Sequence, residues 1–372
     1  MRNFTLLLFL TLSILDNSCT PKSKKSIPVL DLKDIIVDTL LLAKDTLTKN
    51  LGSNFYYYPS DSGEVLATFI DHQFLVYRYP DGSLLRKQKY EKEGPNGIGS
   101  FITGNFIDDQ SLYFLSQQKE IIQCDFYGKV INRWDLPEVD RERKYANYSG
   151  YLYNKLYKSG NELYFVDMPF VFQEGFENYE KWGMVFNTES HSFSHYRFLY
   201  PENILDYTHD DQLGLFSHLY IPANNEHLIS FAISDSIAVV KNGRQTWKWA
   251  GTTESLVFKK GTTVPSGEYT VYQPDHESSK YNGLDFDTHA EKILRWVRVK
   301  GPTKENMEQE RNRLLVFDEK LKPEAELEFN REELGMYGFN TPKGYALSLY
   351  SQTTDDVTAF AVIDFSKINS LE

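Results

Sequence analysis

Glu64-Val65-Leu66-Ala67-Thr68-Phe69-Ile70-Asp71-His72-Gln73-Phe74-Leu75-Val76-Tyr77-Arg78-Tyr79-Pro80-Asp81-Gly82-Ser83-Leu84-Leu85-Arg86-Lys87-Gln88-Lys89-Tyr90 is the stretch that decides the fold. Glu64 to Ile70, Gln73 to Tyr79 and Leu84 to Tyr90 are segments of strand length, rich in β-branched and aromatic residues. Asp71-His72 and Pro80-Asp81-Gly82-Ser83 part them with residues that favour tight turns. Working outward, the same rhythm returns in Ser100 to Leu136, Tyr151 to Asp167, Leu215 to Trp249, Gly283 to Phe329 and Gly344 to Asp364. The strands fall into groups of four that begin near residues 51, 98, 150, 214, 279 and 335. Four-stranded units repeated at this spacing are the signature of a propeller.

The pattern therefore predicts an all-β chain, a six-bladed β-propeller of four-stranded antiparallel blades spanning residues 29–372. The last group shows three clear strands, and Val29 to Leu42 supplies the fourth and closes the ring. Seven blades are the alternative, because the connection 250–278 has room for further strands, and a pair of β-sandwiches is the competing fold. Short helices are expected only at Asp140 to Tyr148 and Lys304 to Asn312.

Residues 1–18 read as a signal peptide: Arg2, then an apolar run from Phe4 to Leu15 too short to span a bilayer. Ser18-Cys19 at its end resembles a lipoprotein cleavage site, with Cys19 as the lipidated residue, although Asp16 and Asn17 depart from the usual pattern. Residues 19–28 form a polar tether, so membrane attachment is expected only through the lipid, in the cell envelope and on the outer membrane in particular. The net charge of −12 argues against nucleic acid as a partner. Cys124, inside a strand-like stretch, reads as a small buried residue.

Loop lengths point to one face. First-to-second and third-to-fourth strand turns are tight, whereas 91–98, 137–149, 168–181, 200–213, 250–278 and 300–311 are long. In an up-and-down blade these long connections emerge together, and function concentrates on loops held by a rigid scaffold. A site is therefore expected on the long-loop face.

Most chemical motifs read as structure. Glu93 to Gly99 is a stiff connector without a phosphate-loop context. Asp108-Asp109, Asp210-Asp211 and Asp355-Asp356 stand at turns, where Asp bonds locally. The eight histidines form no metal signature, although His218, His276 and His289 have room to meet in a channel; no metal, cofactor or catalytic residue is assigned. The loop Pro169 to Trp182 carries Phe170, Phe172, Phe176, Tyr179 and Trp182, suited either to packing or to a partner.

Glu93-Gly94-Pro95-Asn96-Gly97-Ile98-Gly99, Trp247-Lys248-Trp249-Ala250-Gly251 and Lys280-Tyr281-Asn282-Gly283-Leu284-Asp285-Phe286-Asp287, the last leading to Arg295, together with the N-terminal signal, resemble a family of bacterial lipoproteins known only as a domain of unknown function. The resemblance implies a six-bladed, TolB-like propeller over nearly the whole mature chain. Ile293 and Leu294 stand where that family tends to carry a tyrosine pair, so no role is transferred to them. The expectation is a lipid-anchored binding or scaffolding module that engages a protein, peptide or glycan through Phe172, Phe176, Tyr179, Trp249, His276, Tyr281 and Arg295. The alternative is a propeller-type glycan lyase or hydrolase with its site at the channel mouth.

Overall fold

The computed structural model describes residues 27–48, 51–61, 63–137, 147–150, 153–169, 179–207, 210–302 and 310–370. Blade 1 runs Phe55–Ser60, Gly63–Ile70, Gln73–Arg78 and Leu84–Lys89, from the channel outwards. Blade 2 runs Ile102–Ile107, Leu112–Ser116, Glu120–Cys124 and Val130–Asp135. In blade 3 the inner strand comes in two pieces, Tyr148–Ser149 and Tyr157–Ser159, before Glu162–Asp167, Gly183–Asn187 and Ser192–Tyr196. Blade 4 runs Phe216–Ile221, Glu226–Phe231, Ser236–Lys241 and Arg244–Trp249, and blade 5 runs Lys280–Asp287, Lys292–Lys300, Arg311–Phe317 and Pro323–Phe329. Blade 6 is built from Leu334–Thr341, Gly344–Leu349 and Val357–Ile363, with Ile36–Ala43 antiparallel on its outer edge. The molecule is a six-bladed propeller closed by its N-terminal strand.

Two details differ from expectation. The segment expected to close blade 6 divides its work: Val29–Asp31 adds in parallel to the outer strand of blade 5, and only Ile36–Ala43 reaches blade 6. A single 3₁₀ turn, Leu32–Ile35, makes the transfer; Asp31 caps it, and Leu32 and Ile35 are buried between the two blades. The connection 250–278 does hold strands, Thr262–Ser266 and Tyr269–Gln273, but they pair only with each other and form a projecting hairpin rather than a seventh blade. The expected helices lie mostly outside the described residues, and their last residues, Tyr148 and Arg311–Asn312, are strand.

Middle strands are buried on both faces because a blade packs between two neighbours, which is why Gln73–Arg78 reads QFLVYR while the outer Leu84–Lys89 reads LLRKQK. Six hydrophobic clusters fill the six blade interfaces. The one joining blade 6 to blade 1, with Leu40, Leu42, Phe55, Tyr77, Phe339 and Phe360, is as fully aromatic and aliphatic as the rest. Cys124 is wholly buried in the cluster between blades 1 and 2, where burial, then Asp125, pushes its thiol up to about 12.

Candidate functional site

Between the two pieces of the inner strand of blade 3, the described residues from Tyr153 on leave the blade and cross the channel. Gly150 bridges in parallel to Gly104 of blade 2, and a Cβ built on Gly104 falls 2.5 Å from the Gly150 Cα, so only glycine fits there. The Tyr153 carbonyl accepts the His218 N–H of blade 4 at 3.2 Å. Tyr153 packs edge-on against Tyr337 of blade 6, centroids 5.0 Å apart, and Lys155 Nζ lies 2.5 Å from the Asp285 carboxylate of blade 5. Gly283 permits this crossing, because a Cβ there would sit 2.9 Å from the Tyr337 ring and 3.4 Å from that of Tyr153. The segment is thus tied to four other blades. It divides the channel into a cup lined by Lys155, Leu156 and Tyr157 and a smaller pocket lined by Tyr153 and Asn154.

The cup is a concavity of about 940 Å³, and the inner strands of all six blades line it. Its floor is a chain of bonds: Asp285 Oδ2 accepts from Lys155 Nζ and from Tyr345 Oη at 2.5 Å each, while Oδ1 accepts the Phe286 N–H at 2.9 Å. Tyr345 is fully buried and also accepts the Gly338 N–H at 3.0 Å. Burial and the neighbouring carboxylate raise its pKa well above the usual phenol range, so it remains a donor. The walls are aromatic: Tyr56 against Phe106, edge to face at 5.3 Å, with Tyr57, Tyr58, Tyr157 and Phe286. Asn54 donates to Asn105 Oδ1 at 3.2 Å, and Tyr56 Oη donates to the Asn105 carbonyl at 2.6 Å. At the rim, Asp108 caps its own turn through the N–H groups of Gln110 and Ser111 and pairs with Lys158 at 3.0 Å. Flat apolar rings above a charge-balanced floor suit a ligand with both apolar faces and hydroxyl groups. The Asp285 carboxylate, held by three donors of the chain itself, is arranged as a structural acceptor rather than as a general base.

This cup opens on the tight-turn face, since its rim is Asp108–Asp109, Pro222, Thr288–His289 and Thr341–Pro342, the turns between first and second strands. The expectation of the long-loop face is corrected by the use to which those loops are put. Thr252 and Thr253 bond to Glu326 at 2.8 and 2.5 Å, Ser278 and Ser279 are buried, and Trp182 is wholly buried under blade 3. Among the described residues much of their length covers blade ends, and the cavities they line are smaller than the cup.

The residues singled out from sequence do not converge. Cys19, Phe172 and Phe176 lie outside the described residues. Tyr179 is buried with its ring 4.6 Å from that of Trp182, whose Nε1–H donates to the Tyr179 carbonyl at 2.9 Å. Trp249 ends the outer strand of blade 4, 47% exposed beside Trp247. His276 is exposed in the connection between blades 4 and 5. Arg295 and Tyr281 clasp those two blades from inside: Arg295 is 0% exposed and donates to Ser230 Oγ (2.9 Å) and to the carbonyls of Ala250 (2.8 Å), Ser234 (2.7 Å) and Phe231 (3.4 Å). Its guanidinium lies 3.5 Å above the Tyr281 ring, and Tyr281 Oη donates to Asp235 at 2.5 Å. An orienting role for Arg295 is corrected accordingly, because none of its guanidinium faces solvent, whereas Tyr281, expected to stack on a ligand, lines the smaller pocket beside Tyr153. His218, His276 and His289 do not meet: His218 is buried between blades 3 and 4 at 3.0 Å from His227, and His289 stands on the cup rim. Among the described residues no group of three His, Cys, Asp or Glu is placed to hold a metal ion. Lys155 and Asp285 were the residues missed. Their signal is a charge within the first strand of a group, the strand that faces the channel.

The structure resembles that of a DUF4221 family member from Bacteroides vulgatus at a TM-score of 0.70 and 12% identity, covering 89% of this chain and 97% of that one. It also resembles a Bacteroides fragilis chain described as a "putative exported protein", at a TM-score of 0.53 and 8% identity, covering 91% and 99%. No curated protein sequence matches the chain. The family model described as "Domain of unknown function (DUF4221)" matches residues 30–326, from the strand added to blade 5 to the outer strand of that same blade, and the chain belongs to that family.

Proposed function

We propose that this protein is an exported, lipid-anchored binding module whose cup takes the end of a neutral glycan. The observation that carries this reading is the cup itself: six inner strands contribute aromatic rings around a floor where the one lysine is already neutralised by Asp285. Sugar rings present apolar faces to aromatics and hydroxyls to amides and carbonyls. The apolar run before Cys19 and the likeness to a chain described as exported support the envelope location.

The test is titration calorimetry of the full chain in detergent against neutral oligosaccharides. Binding is expected, and Phe106→Ala and Phe286→Ala are each expected to weaken it about tenfold, the scale of one lost aromatic contact. Unchanged affinity in both variants, or no neutral sugar bound, refutes the reading; cleavage of a bound sugar replaces it with the lyase or hydrolase alternative. Labelling by a fatty-acid probe is expected to disappear in Cys19→Ala, and persistent labelling removes the anchor.

A further inference from the structure

The pocket on the other side of the Tyr153–Lys155 crossing, about 190 Å³, has different chemistry. Lys280 lines it at the start of the inner strand of blade 5 and is the cross-strand neighbour of Arg298, which stands opposite Asn312 on the next strand. These three side chains therefore share one face of the sheet. Trp296, two residues before Arg298, lies on that face too, and its ring meets Tyr337, which in turn packs on Tyr153.

Cations and unpaired polar atoms gather here. Lys280 Nζ gives one hydrogen bond, to Gln212 Oε1 at 2.9 Å. Arg298 is 8% exposed and spends Nε on the Ser278 carbonyl at 2.9 Å, and none of its Nη hydrogens has an acceptor among the described residues. Among the described residues Trp296 Nε1, Tyr337 Oη and Asn312 Oδ1 are buried without a partner, as is Asn154 Oδ1 in the pocket lining, and Trp296 is 0% exposed. A buried polar group left unpaired costs about 1–3 kcal/mol, so several together mark a place built for something more. Arg331, from the connection between blades 5 and 6, lines the separate pocket that Asn312 also lines, and its charge reaches Lys280 and Arg298; it is exposed and pairs with Glu310 at 3.1 Å.

The carboxylates near Lys280 and Arg298 are engaged elsewhere, among them Glu310, whose charge acts on Arg298 but which pairs with Arg331 at 3.1 Å. Asp210 is committed to the N–H groups of Gln212, Leu213 and Gly261. Burial and Asp210 raise the pKa of Asp211. Asp275 caps the Glu277 N–H at 2.9 Å. Among the described residues no carboxylate lies within ion-pair distance of Lys280 or Arg298.

We infer that Lys280, backed by Arg298 on the same sheet face and by the nearby Arg331, forms an anion site at the long-loop mouth of the channel that takes a carboxylate or phosphate group. Burial first, then the charges of Arg298 and Arg331, hold the Lys280 ammonium down to about 8. An arriving anion reverses that pressure, so binding takes up a proton and weakens as pH rises above about 8.

The experiment is titration calorimetry on the full chain with inorganic phosphate, glucuronate and glucose as probes. One of the two anions is expected to bind below about 1 mM while glucose does not bind at this site. Tighter phosphate assigns a phosphate-bearing ligand, and tighter glucuronate assigns an acidic sugar or another carboxylate. Lys280→Met and Arg331→Gln are each expected to weaken the bound anion at least about tenfold, and Lys280→Met also to flatten the pH dependence. Arg331 is exposed, so its variant folds and keeps the test decisive if Lys280→Met does not. No anion bound at about 20 mM, or unchanged affinity in the variants, overturns the site.

Discussion

Replacing Arg295 with Met separates a structural clasp from a binding residue. Methionine keeps much of the apolar stem but leaves Ser230 Oγ and the carbonyls of Ala250 and Ser234 without the donors that reach them at 2.9, 2.8 and 2.7 Å. Each stranded acceptor costs about 1–2 kcal/mol, and loss of the stack on Tyr281, 3.5 Å from the ring, adds about 1 kcal/mol or more. The expected total is about 5 kcal/mol. Unfolding entropy of about 2 cal/mol/K per residue makes that about 7 °C in melting temperature for a domain of this length. Thermal melts followed by near-ultraviolet circular dichroism read the shift, and calorimetry with the cup ligand reads binding. A large fall in melting temperature with affinity for the cup ligand retained is the expected outcome. A melting temperature within about 2 °C of the parent protein refutes the clasp.

The His218–His227 pair makes stability fall in acid. Burial holds His227 down to about 3 and His218 well below its ordinary value, so both are neutral in the fold. In the unfolded chain they titrate near 6.5, so their contribution is intact above that pH and is lost as pH falls towards 3, at up to about 1.4 kcal/mol per pH unit for each. Urea melts from pH 7 to pH 4.5 should show this slope and His227→Gln should reduce it; an identical slope in the variant excludes the pair as its source. Cys124, wholly buried and with its thiol raised to about 12, should resist iodoacetamide at pH 8 in the folded protein and react in urea. Peptide mapping that finds it alkylated in the native protein removes it from the core between blades 1 and 2.

The positions of strands were legible because each is a local event. Turn residues such as Asp81-Gly82 and Asn242-Gly243 sit between runs whose composition reports burial on one or both faces, and no long-range information is needed to read them. Ring closure was legible for the same reason: a group with three strands and an orphan extended segment at the other end of the chain leave one way to pair. The division of that segment between blades 5 and 6 was less visible, since it turns on Leu32 and Ile35 finding a shared core.

The site was hidden because loop length says how much chain lies on a face and not whether the face is open. Arg295 and Tyr281 stand out in sequence as an arginine and a tyrosine in strands, yet only the packing of blade 4 on blade 5 shows that their polar atoms are spent inside. Sequence by itself determined the elements, their grouping and the closure of the ring, all set by alternation and turn chemistry within a few tens of residues. Tertiary structure alone decided that residues near Tyr153 to Lys155 leave their blade and cross the channel, because that path is fixed by partners as distant as Asp285 and Tyr337. From that crossing follow an aromatic cup on one side and a smaller pocket lined by Lys280 on the other.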